Sequence, residues 1–383
     1  MPRTTCRLCG ECDIGCNYGS KNTLDFNYIS AAIHQTTPAD VRTLCEVRSF
    51  EPNREGTRRY RVEYLIHDPE KCGEPGYEAE TKEVFCDHLI LSAGTFGTQY
   101  LLSKNKQSFP GISKTLGSRY SVNGDLLSFV MKAIERKNGK TVPRRLDPSF
   151  GPVITSALRY GDTLDGEGEK GRGFYIEDGG HPNLISWATE ISGLYGYLKR
   201  SVKFLKIILK YRIGFSRDAD LGAEISGLIG EATSAMSSMP MLAMGRDIAS
   251  GNLFLRDDKY LDCDWRIKES AGYYDRVRRA GKAIAQALGA EYSDNPSYRW
   301  NFKQVLTAHP IGGCAMGVDD KDGVVSGCGE VFGAKGLYVA DGSVMPGPVG
   351  PNPSLTIAAL SNRFAEHIIA DHKGANHECT DGK

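Results

Sequence analysis

Two stretches near opposite ends of the chain carry the same pattern: a short apolar strand, a glycine turn and the start of a helix. The first is Val84 to Ser92 (VFCDHLILS), which runs into Ala93-Gly94-Thr95 and a helical Gln99 to Ser103. The second is Gly336 to Ala340 (GLYVA), closed by Asp341-Gly342 and followed by a helix from Ser354 to Ile369. A continuous apolar run marks a strand covered on both faces, because a strand wetted on one side alternates instead. At 383 residues the chain is long for a single core. The α/β pieces at the two ends are therefore expected to fold together over residues 1–106 and 296–383, with residues 107–295 inserted as a second domain.

The intervening sequence fills in other elements. Thr23 to His34 reads as a short helix, and Val41 to Val47 and Tyr60 to Ile66 alternate as half-buried strands do, with EPNREG as the turn between them. Short strands and Gly-rich loops fill most of 107–295. Its clearest helix, Tyr273 to Leu288, carries apolar residues at 277, 280, 284, 287 and 288 and stops at Gly289. The inserted region thus reads as α+β. In the last helix Ile357, Leu360, Phe364, Ala365 and Ile368 form the apolar stripe, with Asn352 as N-cap and Pro353 at the first helical position.

Charge excludes one class of function. Lys plus Arg and Asp plus Glu number 47 each, so no overall field gathers nucleic acid. Glycine supplies 44 residues, above the usual ~7%, which suits a backbone that turns sharply beside a ligand. No charge-free apolar stretch reaches membrane-spanning length, and MPRTTCRLCGECDIGC lacks the apolar core of a secretory signal. A cytoplasmic location is the expectation.

The strongest motif is His309-Pro310-Ile311-Gly312-Gly313-Cys314-Ala315-Met316-Gly317, followed by GLYVADGSVMPGPVGPNPSLTIAALSNRFAEHII. In this order and spacing the sequence resembles the glucose-methanol-choline (GMC) family of FAD-dependent alcohol oxidoreductases, and within it the cholesterol oxidase-like branch. The resemblance implies an α/β FAD-binding domain, an incomplete Rossmann-like half, with an inserted α+β substrate-binding domain. It also implies roles for particular residues. Leu91 to Leu102 (LSAGTFGTQYLL), with Ala93 and Gly94, is similar to the strand and turn that pass beneath the flavin. Asn123 and Gly124 match the family's Asn-Gly near the isoalloxazine ring, and Val47 matches the position whose backbone reaches the adenine. Asp341, Gly342, Asn352 and Pro353 complete the cofactor-binding set. His309 and Asn352 are the catalytic pair, and Glu177 in FYIEDGGHPN falls where the cholesterol oxidase-like branch has its catalytic carboxylate.

Elementary chemistry agrees with these assignments. Oxidising an alcohol needs a group to take the hydroxyl proton while hydride leaves carbon for the flavin, and a histidine beside an amide does this near neutral pH. The reduced flavin is anionic, and a helix beginning at Pro353 would aim its positive end at that charge. A carboxylate at Glu177 in an apolar pocket would have a raised pKa and could move a proton between carbons of an unsaturated ketone. The implied substrate is a bulky apolar alcohol such as a 3-hydroxysteroid, cholesterol among them, oxidised to a ketone with oxygen as acceptor and with possible double-bond isomerisation.

Three features stand apart from that pattern. No GxGxxG occurs in the sequence, so the first strand–loop–helix that holds a dinucleotide's pyrophosphate is expected from elsewhere, a separate N-terminal FAD-binding segment included. Cys6, Cys9, Cys12 and Cys16 spell C-x2-C-x2-C-x3-C, the spacing of a ferredoxin cluster, but Asn17 stands where Pro is usual. Structural or stray thiols compete there with a metal site, and a cluster would make the chain a flavin dehydrogenase handing electrons to a carrier. A non-catalytic fragment is a further alternative. Finally, in residues 194–212 Lys199, Lys203, Lys206 and Lys210 share one helical face and Leu198, Val202, Leu205 and Leu209 another, as in a helix lying on an anionic membrane surface or one with a solvated basic side.

Overall fold

The computed structural model describes residues 3–161, 172–182, 236–299 and 304–374. A short helix α1 (Tyr28–Ile33) precedes a three-stranded antiparallel sheet of β1 (Cys45–Pro52), β2 (Tyr60–Ile66) and β3 (Glu80–Cys86), with β2 in the middle. Along β2, buried Tyr60, Val62 and Tyr64 alternate with half-buried Arg61, Glu63 and Leu65, the period a one-sided sheet requires. β1 begins at Cys45 rather than Val41 and continues through Pro52, so the turn to β2 is displaced from EPNREG to Asn53 through Arg59.

The run expected as one strand, Val84 to Ser92, is two. β3 ends at Cys86, and β4 (Leu89–Leu91) opens a different sheet after Asp87 and His88. The physical reason is the polar pair itself: Asp87 turns out to meet Arg58 at the surface, which a fully covered strand could not permit.

β4 leads into α2 (Gly94–Lys104). After it come β5 (Leu126–Met131), the hairpin β6 (Ile134–Lys137) and β7 (Lys140–Pro143), β8 (Ala157–Tyr160), β9 (Phe174–Asp178) and β10 (Met239–Gly245). A second hairpin of β11 (Leu253–Arg256) and β12 (Tyr260–Cys263) precedes α3 (Ala271–Ala287) and β13 (Glu291–Asp294). Strands β13-β5-β10-β9-β8 form an antiparallel sheet, and α3 packs on it. Val277 and Ala280 of the expected stripe are buried there with Tyr273, Tyr274 and Ala285, against Leu126, Val130, Phe174, Ile176, Met241 and Ala243. Gly289, at φ +67°, follows the helix end as anticipated.

The chain returns in β14 (Leu337–Val339), which pairs in parallel with β4 so that Leu89 faces Leu337 and Leu91 faces Val339. The two strand–turn–helix stretches therefore lie side by side. A second hydrophobic cluster joins them, with Phe50, Leu102, Phe109, Val325, Leu337, Val339 and Phe364 at its centre. Full burial of each such side chain is worth about 1.5–3 kcal/mol. The final helix α4 (Ser354–His372) buries only Phe364 completely, and its Leu355 is 81% exposed. Ile90 of β4 is 43% exposed, and among the described residues β4 has no strand on its other edge.

Candidate active site

The segment before HPIGG is pinned by backbone pairing. Ser121 and Ile311 exchange N–H···O bonds of 3.0 and 3.1 Å, which lays residues 307–311 beside 121–125. This brings His309 to Asp125, a residue with 0% exposure that the family motifs did not single out. His309 Nδ1 lies 2.9 Å from Asp125 Oδ1 and 3.1 Å from Oδ2. Oδ2 also accepts the Ala308 N–H at 2.8 Å and the Thr307 hydroxyl at 3.0 Å. Thr307 Oγ1 in turn accepts the His309 N–H, so one threonine ties the turn to the carboxylate. The only sequence signal for Asp125 is a charge followed directly by an apolar strand, in NGDLLSF.

Glu177 sits on β9 and is 6% exposed. Its Oε1 accepts a 2.8 Å hydrogen bond from Asn352 Nδ2, and its Oε2 is buried without a partner. Burial pushes the Glu177 carboxyl above its ordinary pKa, against the opposing pull of Asn352 and His309. For His309, burial disfavours the proton, but the Asp125 bond and charge, the Glu177 charge and the Asn352 side chain together raise the pKa above 6.5. The structure thus brings His309, Asn352 and Glu177 into one cluster with Asp125 as a fourth member. The expected N-cap is corrected: Pro353 occupies that place, no side chain caps α4, and Asn352 is recruited by Glu177 instead.

Around Glu177 the sheet is apolar. Glu177 stands opposite Leu242 and Ala157, and Leu242 stands opposite Leu127. Leu127, Phe129, Tyr175 and Leu242 are half-buried, while the alternate positions go to the α3 core. A lone carboxyl on an apolar floor suits a substrate with little polarity.

The remaining candidate residues divide between protein-holding duties and an open cleft. Ser92, Ala340, Asp341, Ser354, Ile357 and Ala358 line one wall of a cleft of about 1010 Å³, and Lys21 to Asp25 line another. Gly94, at φ +74°, begins α2, and a Cβ there would meet nothing within 4 Å. The uncapped N-terminus of α4 opens beside this cleft, and its first N–H groups have no intrahelical partner. The space and the free helix end fit the flavin of an FAD. Other residues of the set work within the protein. Asp341 accepts from the Gly94 and Ser343 N–H groups and from the Thr98 and Ser343 hydroxyls. Asn123 is fully engaged by residues 349–351. Gly124 is required by packing, since a Cβ would lie 2.4 Å from the Tyr273 hydroxyl. Gly342 is buried at the end of β14, beside Ser343. Val47 is exposed on β1, where the ladder is irregular between Val47 and Ser49.

Cys6, Cys9, Cys12 and Cys16 all border one smaller pocket of about 260 Å³, and all are free thiols. Among the described residues no group of three or more His, Cys, Asp or Glu side chains is placed to hold a metal ion. Cys16 accepts from backbone N–H groups of Lys21, Tyr18 and Ser20, which lower its pKa. The basic segment 194–212 lies outside the described residues, and no described helix is long and apolar enough to cross a membrane.

Comparison with known proteins agrees with this geometry. Residues 255–361, which include His309, Asp341 and Asn352, match the family model described as GMC oxidoreductase. The chain is 26% identical over 379 residues to a cholesterol oxidase of Acinetobacter baumannii, covering 97% of this chain and 62% of that protein. It is 29% identical over 370 residues to a cholesterol oxidase of Mycobacterium tuberculosis, covering 95% of this chain and 59% of that protein. A long-chain-alcohol oxidase of Arabidopsis thaliana is 44% identical over 70 residues, 17% of this chain and 9% of that protein. The chain thus spans about three-fifths of the length of the two cholesterol oxidases. The chain is thus similar to GMC oxidoreductases, through the family match at residues 255–361 and through two cholesterol oxidases along most of its length.

Proposed function

We propose that the protein oxidises a bulky apolar secondary alcohol, a 3-hydroxysteroid or a close analogue, to the ketone, with oxygen reduced to peroxide. The observation that carries this is the joining of His309 and the Asn352–Glu177 pair beside an apolar sheet face. His309 Nε2 takes the hydroxyl proton as the carbinol carbon is oxidised, and Asn352 orients the hydroxyl oxygen. FAD, when bound, accepts the hydride that leaves that carbon. Glu177 then moves a proton between two carbons of the unsaturated ketone, for which its raised pKa suits it. The similarity to two cholesterol oxidases favours a sterol-like substrate over a small polar alcohol.

We further propose the domain arrangement, the source of the pyrophosphate site and the place of work. The five-stranded sheet and α3 form a substrate-binding region inserted at 107–295 into an FAD-binding region of 1–106 and 296–383, supported by the two separate hydrophobic clusters. The pyrophosphate of FAD is held by a strand–GxGxxG–helix segment outside this sequence. Support comes from the open edge of β4 and the uncovered side of α4, since parallel strands are normally buried within larger sheets. The protein works in the cytoplasm, where segment 194–212 touches anionic membrane to draw the sterol from it.

The experiment is to co-express the chain with the N-terminal segment of a GMC relative, purify the complex, and assay peroxide release with a 3-hydroxysteroid, a long-chain alcohol and an amino sugar. Flavin incorporation with steroid-dependent peroxide supports the proposal. Incorporation with turnover of the sugar alone would overturn the substrate assignment.

A further inference from the structure

We propose that Asp125 is the positioning residue of this site: it holds the His309 ring by Nδ1, fixes the tautomer, and makes Nε2 the nitrogen that receives the substrate proton. The proposal rests on the reading of His309 as the proton acceptor, and nothing in the family motifs assigns Asp125 a role.

The donors around the carboxylate fix which nitrogen carries the proton. A peptide N–H can only donate, so Ala308 makes Asp125 Oδ2 an acceptor, and the Thr307 hydroxyl, donating to the same oxygen, reinforces it. Nδ1 lies within hydrogen-bond distance of both oxygens and therefore carries the proton in that bond. A neutral ring is then left with its lone pair on Nε2. The ring's orientation is fixed as well, because His309, Ala308 and Thr307 are each tied to Asp125 or to one another.

Burial adds the energetic part. Asp125 is wholly removed from solvent, and among the described residues its ion-pair partner is His309. A proton arriving at Nε2 creates the positive charge that compensates the buried carboxylate, so Asp125 favours the imidazolium that forms during oxidation. Two acidic groups act on His309: Asp125 from the start of β5 and Glu177 from β9. Asp125 differs from Glu177 in having donors on both oxygens, whereas Glu177 Oε2 has none. The two carboxyl groups thus have separate duties, one holding the base and one left free to exchange a proton.

The test is a proton titration of the His309 ring by histidine ring-carbon NMR in the full chain, assigned with His309→Gln. Asp125→Asn should lower the His309 midpoint, because burial then acts with less opposition. Thr307→Val keeps the carboxylate but removes one of its donors, so it should move the midpoint upward. Circular dichroism identifies any variant that fails to fold, and the two opposite shifts keep the test decisive if one variant is lost. In the flavin-loaded protein Asp125→Asn should also cut turnover at neutral pH at least ~10-fold, a part of the roughly 10²–10⁴-fold that acid–base catalysis supplies. The acid limb of its pH–rate profile should move down with the NMR midpoint. An unchanged midpoint in folded Asp125→Asn, or the same direction of shift in both variants, overturns the proposal. A shifted midpoint with full turnover in both Asp125→Asn and His309→Gln instead overturns the assignment of His309 as proton acceptor.

Discussion

Replacing Asn123 by alanine removes the hinge between two halves of the site, and its cost can be built from the structure. Asn123 is fully buried at φ +52°, a left-handed conformation that Asn tolerates and Ala resists. Its Oδ1 accepts the Val349 and Gly350 N–H groups at 2.9 and 3.0 Å, and its Nδ2 donates to the Pro351 carbonyl at 3.1 Å. Losing three such bonds costs about 1 kcal/mol each, with more where a buried donor is left unpaired. Forcing alanine into the left-handed region adds about 1 kcal/mol. The sum, about 4 kcal/mol, is a large part of the ~5–15 kcal/mol that usually separates folded from unfolded chains. Asn123→Gly loses the same bonds without the backbone strain and should be milder by about 1 kcal/mol. Residues 349–351 lead directly into Asn352, so turnover should fall as well. Urea denaturation of the flavin-loaded protein, with turnover measured alongside, checks both. If both variants stay within ~0.5 kcal/mol of the parent, as ordinary surface changes do, the hinge is not built as described.

Other outcomes follow from the same cluster. His309→Ala should reduce turnover on the order of a hundredfold or more while leaving flavin content near normal, measured as steady-state rate against the flavin absorbance of the purified protein. Glu177→Gln should leave alcohol oxidation largely intact but let the unsaturated ketone accumulate without double-bond migration, which ultraviolet product analysis reads directly. Because the folded-state pKa of His309 is raised above 6.5, its contribution to stability is complete below that pH and is lost as pH rises through the folded value. The drop in thermal midpoint above pH 6.5 should therefore be shallower in His309→Gln. Changing Lys199, Lys203, Lys206 and Lys210 together to Gln should weaken sedimentation with anionic vesicles, since each surface lysine contributes ~1 kcal/mol, and should spare activity on a detergent-dispersed alcohol.

Legibility in the sequence followed the range of the forces involved. β2 begins and ends where alternation put it, and α3 lies within two residues of its expected span, because both are written in local periodicity. The split at Asp87-His88 was also local, yet the apolar residues on either side obscured it. Asn352 shows the opposite case. Asn before Pro is a strong capping signal, but a carboxylate 175 positions away in sequence takes the side chain. Asp125 was missed for the same reason, since its partners at 307–309 arrive only through the Ser121–Ile311 pairing. Glu177, indistinguishable from a surface glutamate in one dimension, is buried because its strand places it between Leu242 and Ala157.

The most direct test of alcohol oxidation at this cluster is anaerobic mixing of the flavin-loaded, reconstituted protein with a 3-hydroxysteroid while the flavin absorbance is followed. The oxidised band should bleach with the alcohol and not with the corresponding ketone, and bleaching should slow at least ~100-fold in His309→Ala. A flavin that loads stoichiometrically but stays oxidised with the steroid, or that bleaches equally fast without His309, would contradict alcohol oxidation at this cluster.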